Sequence, residues 1–139
     1  MTASTPLGKS VPLLHTNPGL LADDNGYCPI RYVLDRVGDT WSLLVIIGLQ
    51  PAPVRFNALR RSIEGISQRM LTVTLRSLER DGFVSRTVKP TTPPEVEYAL
   101  TELGQSIAVP ISALGVWAAA NSPLVSSARE SFDRNAGND

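Results

Sequence analysis

The chain has 139 residues, 42% of them hydrophobic and 19% charged, a size and balance suited to one globular domain with a modest core. A single cysteine, Cys28, excludes an intrachain disulfide framework; the N-terminal run MTASTPLGKSVPLLH lacks the apolar stretch of a signal peptide, and nothing resembles about 18 consecutive apolar residues, so a cytoplasmic protein without a membrane helix is expected. Net charge is zero, yet residues 55–90 hold eight basic side chains against three acidic ones, a local excess of +5 that a polyanion would feel.

Residues 1–27 are rich in Pro, Gly, Ser, Thr and Asp without a period and read as a flexible arm, with a short ordered piece at 11–14. From CPIRYVLDRVG the pattern turns helical: Pro29 fits a first helical position, and Ile30, Val33, Leu34 and Val37 recur at helical spacing before Gly38. A second helix, capped by Asp39 or Thr40, runs through WSLLVIIGL; it is apolar nearly all round and so belongs at the centre of the domain until Pro51 stops it. RFNALRRSI makes a short third helix with Phe56, Leu59 and Ile63 on one side. A tight turn at Gly65 leads to Ser67, a natural N-cap, and to a helix whose buried stripe is Leu71, Leu75 and Leu78 and whose C′ residue is Gly82.

Two extended segments follow, FVSRTVK and VEYAL, joined by the proline-rich tip PTTPPE. Thr101 then caps a last helix containing Leu103, Ile107, Ile111, Leu114 and Trp117, and after Asn121 the polar run 122–139 reads as a disordered tail. The fold class is mainly α with a small β-hairpin. Helix, helix, short helix, tight turn, helix, hairpin, helix is the order of a winged helix-turn-helix domain, here spanning residues 28–121.

In that geometry the helix over 67–81 enters the DNA major groove and the hairpin is the wing. Gln68, Arg69, Thr72 and Arg76 lie opposite the leucines, with Val73 beside them. Arginine bonds guanine bidentately, glutamine pairs with adenine, and threonine suits a phosphate or a thymine methyl, so this face has the chemistry to read base edges. Ser67 at the helix start, Arg55 on the preceding helix, and Arg86 and Lys89 on the wing are candidate phosphate contacts, with Thr91 and Thr92 nearby. At least one of Arg55, Arg60 and Arg61 is expected to pair with Glu64 or another acid.

The blocks CPIRYVLDRVGDTWSLLVIIGL, RFNALRRSIEGISQRMLTVTLRSLERDGFVSRTV and PPEVEYALTELGQSI resemble, in order, the HxlR-type family of bacterial winged-helix transcription regulators within the MarR-like superfamily. The resemblance covers about residues 28 to 121. It implies a homodimeric DNA-binding regulator on a palindromic operator, usually a repressor, with N- and C-terminal dimerisation elements. The last helix supplies Ile107, Ile111, Leu114 and Trp117 as interface candidates. One departure stands out: Gly38, Asp39, Thr40 and Trp41 occupy a position where the family commonly carries Gly-Gly-Lys-Trp, so a lysine able to meet phosphate is missing.

Cys28 lies at a helix start with Arg31 close by, where helix amides favour thiolate. Some relatives of this type use a cysteine here to sense oxidants or electrophiles; the competing reading is a small packed residue. A small apolar effector in place of redox control, or a winged-helix surface that binds protein, are the other versions. No cofactor, metal cluster or catalytic motif is legible: there is one His and one Cys, with no HExxH, GxSxG or phosphate-cradling glycine loop.

Overall fold

A computed structural model describes Ala22 and residues 25–137. The N-terminal arm therefore lies almost wholly outside the described residues, together with the 11–14 piece. Helix α1 (Pro29–Val37) begins with Pro29 in its first turn, where the missing N–H costs no internal bond. Asp39 caps α2 (Thr40–Leu49): its carboxylate accepts the Ser42 N–H at 2.9 Å and the Ser42 hydroxyl at 2.7 Å. Val45, Ile46 and Leu49 of α2 form the middle of the core, while Leu44 and Ile47 remain on its open side.

After the Pro51 turn comes β1 (Val54–Arg55), then α3 (Phe56–Ser62) and, past Gly65, α4 (Gln68–Arg80). Gly65 and Gly82 both take φ near +85°, the left-handed conformation that lets the chain turn tightly before and after α4. Strands β2 (Val84–Lys89) and β3 (Glu95–Leu100) make the hairpin. The sheet has three strands, ordered β1-β3-β2 and antiparallel throughout, because Val54 and Arg55 pair with Tyr98 and Glu97. Two residues are too short a run to carry a strand period, so β1 is set by its partner rather than by its own sequence.

Leu71, Leu75 and Leu78 of α4 are fully buried against α2, and Leu59, Ile63, Ile66, Phe83, Val84 and Tyr98 complete the core. Helix α5 (Glu102–Gly137) starts at Thr101, whose hydroxyl accepts the Gly104 N–H at 3.0 Å. It corrects one expectation. The run after Asn121 is not a tail: the helix continues to Gly137, since 122–137 is mostly compatible with helix and Leu124, Ala128 and Phe132 recur every four residues. The expected lack of about 18 consecutive apolar residues holds, since Gln105, Ser106, Ser112, Asn121 and Ser122 interrupt the apolar run, yet residues 103–128 carry no charge and an 18-residue window has mean hydropathy 1.4 with 17% of it buried. By length and composition alone α5 is long enough to cross a bilayer.

Candidate nucleic-acid interface

The local sequence builds α4 with one face committed and one free. Ser67 Oγ accepts the Met70 N–H at 3.0 Å, fixing the helix start while leaving the serine's own O–H able to donate outward. No acid occupies the first turn, so the positive end of the helix dipole is uncompensated and favours an anion. The buried leucines turn Gln68, Arg69, Thr72, Val73 and Arg76 to solvent, as their spacing requires. The Thr72 hydroxyl donates to the Gln68 carbonyl at 2.9 Å. Outward it therefore offers lone pairs and a methyl group, which suits a thymine methyl or a base amino group better than a phosphate.

The wing divides the basic residues expected there. In β2, Arg86 is registered with Tyr98, and Tyr98 packs inward against Phe56. Arg86 thus shares the side of the sheet that faces α4, and with Thr72, Arg76, Glu79 and Arg80 it borders a groove of about 540 Å³. Lys89, three residues on, projects from the opposite face, where its Nζ lies 3.5 Å from Glu97 Oε2. Arg55 is partnered as well: a guanidinium nitrogen sits 2.8 Å from Glu95 Oε2. That pair borders a second groove of about 620 Å³, which Gln68 and Thr72 also line.

Glu95 and Glu97 are the residues that sequence reasoning missed. Counting charge only over 55–90 left them out, although strand pairing brings both beside Arg55 and Lys89. The usable signal was parity: two acids at odd positions of β3 face the same way, while Val96 between them and Tyr98 after them face the core. The unpaired basic surface is accordingly narrower than the sequence suggested, centred on Arg69, Arg76 and Arg86.

Cys28 is the N-cap of α1, half-buried, with Sγ accepting the Arg31 N–H at 3.4 Å. It lies outside the groove-facing surface. Of the interface candidates on α5, Ile111 is buried in its own core and Ile107 packs partly against it, whereas Leu114 and Trp117 are 57% and 56% exposed. Ile107, Ile111 and Leu114 border an apolar groove of about 520 Å³ with Pro29, Val33 and Leu34 of α1.

Residues 36–125 match the HxlR-like helix-turn-helix family. The chain is 42% identical over 103 residues to YtfH of Escherichia coli K12, named as an uncharacterised HTH-type transcriptional regulator, covering 74% of this chain and 82% of that protein. Among solved structures, ytfH of Salmonella typhimurium matches with a TM-score of 0.68 at 42% identity, over 74% of this chain and 92% of that one. The oxidised form of the redox regulator HypR matches with a TM-score of 0.65 at 39% identity, over 68% and 97% respectively.

Proposed function

The chain belongs to the HxlR-like helix-turn-helix family of transcription regulators, and from that premise we propose that it is a homodimeric repressor in the cytoplasm, reading a palindromic operator with α4 in the major groove. The observation that carries this reading is the free face of α4: Gln68, Arg69, Thr72 and Arg76 exposed together, with Arg86 bordering the groove that Thr72 and Arg76 line. These groups supply bidentate donors, an amide, a methyl and a phosphate contact along one exposed side of the domain. Val73 adds apolar contact, and Ser67 donates to the backbone. Lys89 and Arg55 reach phosphates only by leaving Glu97 and Glu95.

In the dimer, the apolar groove between α1 and α5 receives the partner's α5, with Leu114 and Trp117 covered and the two α4 helices ~34 Å apart on successive turns of the duplex. The protein acts by occupancy, with no turnover of its own.

The test is a fluorescence-anisotropy titration on the DNA upstream of the protein's own gene. Arg69→Ala is expected to cost about 1–3 kcal/mol of specific affinity and to relax preference at one base pair. If the variant binds the specific fragment as tightly as wild type, α4 is not the reading element.

A second element of the reading concerns control. Cys28 is half-buried at a helix start, accepts a backbone N–H, and occupies a chain similar to a redox regulator. On this reading a peroxide or hypochlorite, itself reduced by two electrons, oxidises the Cys28 thiol to a sulfenic acid, which condenses with a small thiol to a mixed disulfide with loss of water, and either product releases the operator. Cys28→Ser is then expected to bind DNA and to ignore oxidant; a Cys28→Ser protein that oxidant still releases rules this control out.

A further inference from the structure

Helix α5 runs well past the domain it starts from. Ile111 is the last buried residue among those described, and after it everything to 137 is exposed except Ser112 and Asn121, which are half-buried. The family match ends at residue 125, so most of the distal segment lies beyond the matched part. A helical segment of this length is marginal in water without packing, and Pro123 inside it removes a stabilising bond. Something must cover it.

What would fit is legible in its pattern. Two columns of residues seven apart run along the helix, Leu114–Asn121–Ala128 and Ala118–Val125–Phe132, and they lie side by side as one stripe. Phe132 is 72% exposed at its far end. The stripe starts at the apolar groove that Leu114 borders, and from Leu114 to Phe132 it is about 27 Å long. One polar residue interrupts it: Asn121, whose Nδ2 donates to the Trp117 carbonyl at 2.9 Å, lowering the cost of covering it. Beyond the uncharged stretch come Arg129, Glu130, Asp133 and Arg134, two of each sign, so this end does not repel a copy of itself.

We propose that residues 121–137 pair with the same segment of a second copy of this chain, lengthening the dimer contact into a helix pair. The inference rests on the dimer reading above and deepens it. A bilayer is the rival occupant, since α5 is long and apolar enough by composition. Past Asn121, however, the helix is one-sided: Leu124, Val125 and Phe132 fall within about 100° of one another, Arg129 stands at the edge of that face, and Ser126, Ser127, Glu130 and Arg134 lie off it. A lipid-spanning helix needs apolar surface all round, and a surface-lying one favours a basic polar face, which this balanced set does not provide.

Sedimentation equilibrium of the full chain decides the matter. Val125→Glu/Phe132→Glu is expected to weaken the dimer roughly 100-fold or more, the loss of two covered apolar side chains per copy, while Ser127→Glu behaves as wild type. Both substituted positions are exposed, so the monomer's melting temperature should not move. A dimer unchanged in Val125→Glu/Phe132→Glu overturns the inference and leaves the DNA reading standing. Flotation of wild type, but not of that variant, with phosphatidylglycerol vesicles also overturns it, in favour of the bilayer. A wild-type chain that stays monomeric while binding operator DNA overturns the inference and the dimer together; failure to bind DNA would count against the regulator reading instead.

Discussion

Replacing Thr101 with valine tests how the long helix is fastened to the DNA-reading unit. The Thr101 hydroxyl donates to the Gly82 carbonyl at 2.6 Å and accepts the Gly104 N–H at 3.0 Å. It thereby joins the turn that ends α4 to the first turn of α5. Valine keeps the volume and the β-branch, and it keeps the backbone bond from Thr101 N–H to the Phe83 carbonyl at 3.0 Å. Only the hydroxyl is lost. Gly82 is exposed and water can re-solvate its carbonyl, whereas Gly104 is buried and packs so closely on the Phe83 carbonyl that a Cβ there would collide with it. The orphaned Gly104 N–H is therefore the main cost. Loss of a helix cap and of one net hydrogen bond together amount to about 1–2 kcal/mol. For a domain of this size that is a fall of roughly 3–7 °C in Tm. Urea titration followed by circular dichroism, at one fixed protein concentration, measures it. Thr101→Ser, which keeps the hydroxyl, should recover most of the loss. The reasoning is refuted if Thr101→Val lies within about 0.3 kcal/mol of wild type, or if serine is as damaging as valine.

Other consequences follow from the same geometry. Glu97→Gln releases Lys89 from a half-exposed pair at 3.5 Å, and such pairs are worth about 0.2–1 kcal/mol; affinity for random duplex at low salt should rise by at most about fivefold, and a fall would show that Glu97 supports the interface rather than shielding it. Arg86→Ala should reduce DNA affinity and lower the salt slope by about one unit, with Lys89→Ala having the smaller effect because its charge is already engaged; equal losses would mean that both faces of the wing meet DNA. Leu75→Ala removes a side chain that is 1% exposed and should cost about 2–5 kcal/mol in a thermal or urea melt; a loss below 1 kcal/mol would mean that the leucine stripe is not the anchor of α4.

What the sequence disclosed and what it withheld divide by range. Ser67, Asp39 and Thr101 cap the helices their positions implied, and Gly65 and Gly82 take positive φ, because caps and turns are settled by residues three or four apart. The leucine stripe of α4 followed from its period, and so did the exposed face opposite. Strand β1 was hidden because its partners, Tyr98 and Glu97, lie more than forty residues away. An acid partner for one of Arg55, Arg60 and Arg61 was expected, but that it is Glu95 was hidden by the same forty-residue gap, whereas Lys89–Glu97, eight residues apart across the hairpin, was overlooked because the charge count stopped at residue 90. The split between Arg86 and Lys89 was in principle readable, since an odd separation within one strand places side chains on opposite faces. Composition misled at the C-terminus: serines and charges in 122–137 suggested a tail, but the four-residue recurrence of Leu124, Ala128 and Phe132 is a helical period. Period survives where composition misleads, because a helix needs only one covered face. The apolar face of α5 then determines what the molecule can be. A helix that leaves Trp117, Val125 and Phe132 uncovered presents more apolar surface than a lone domain ordinarily exposes, and this is the surface that the proposed dimer covers.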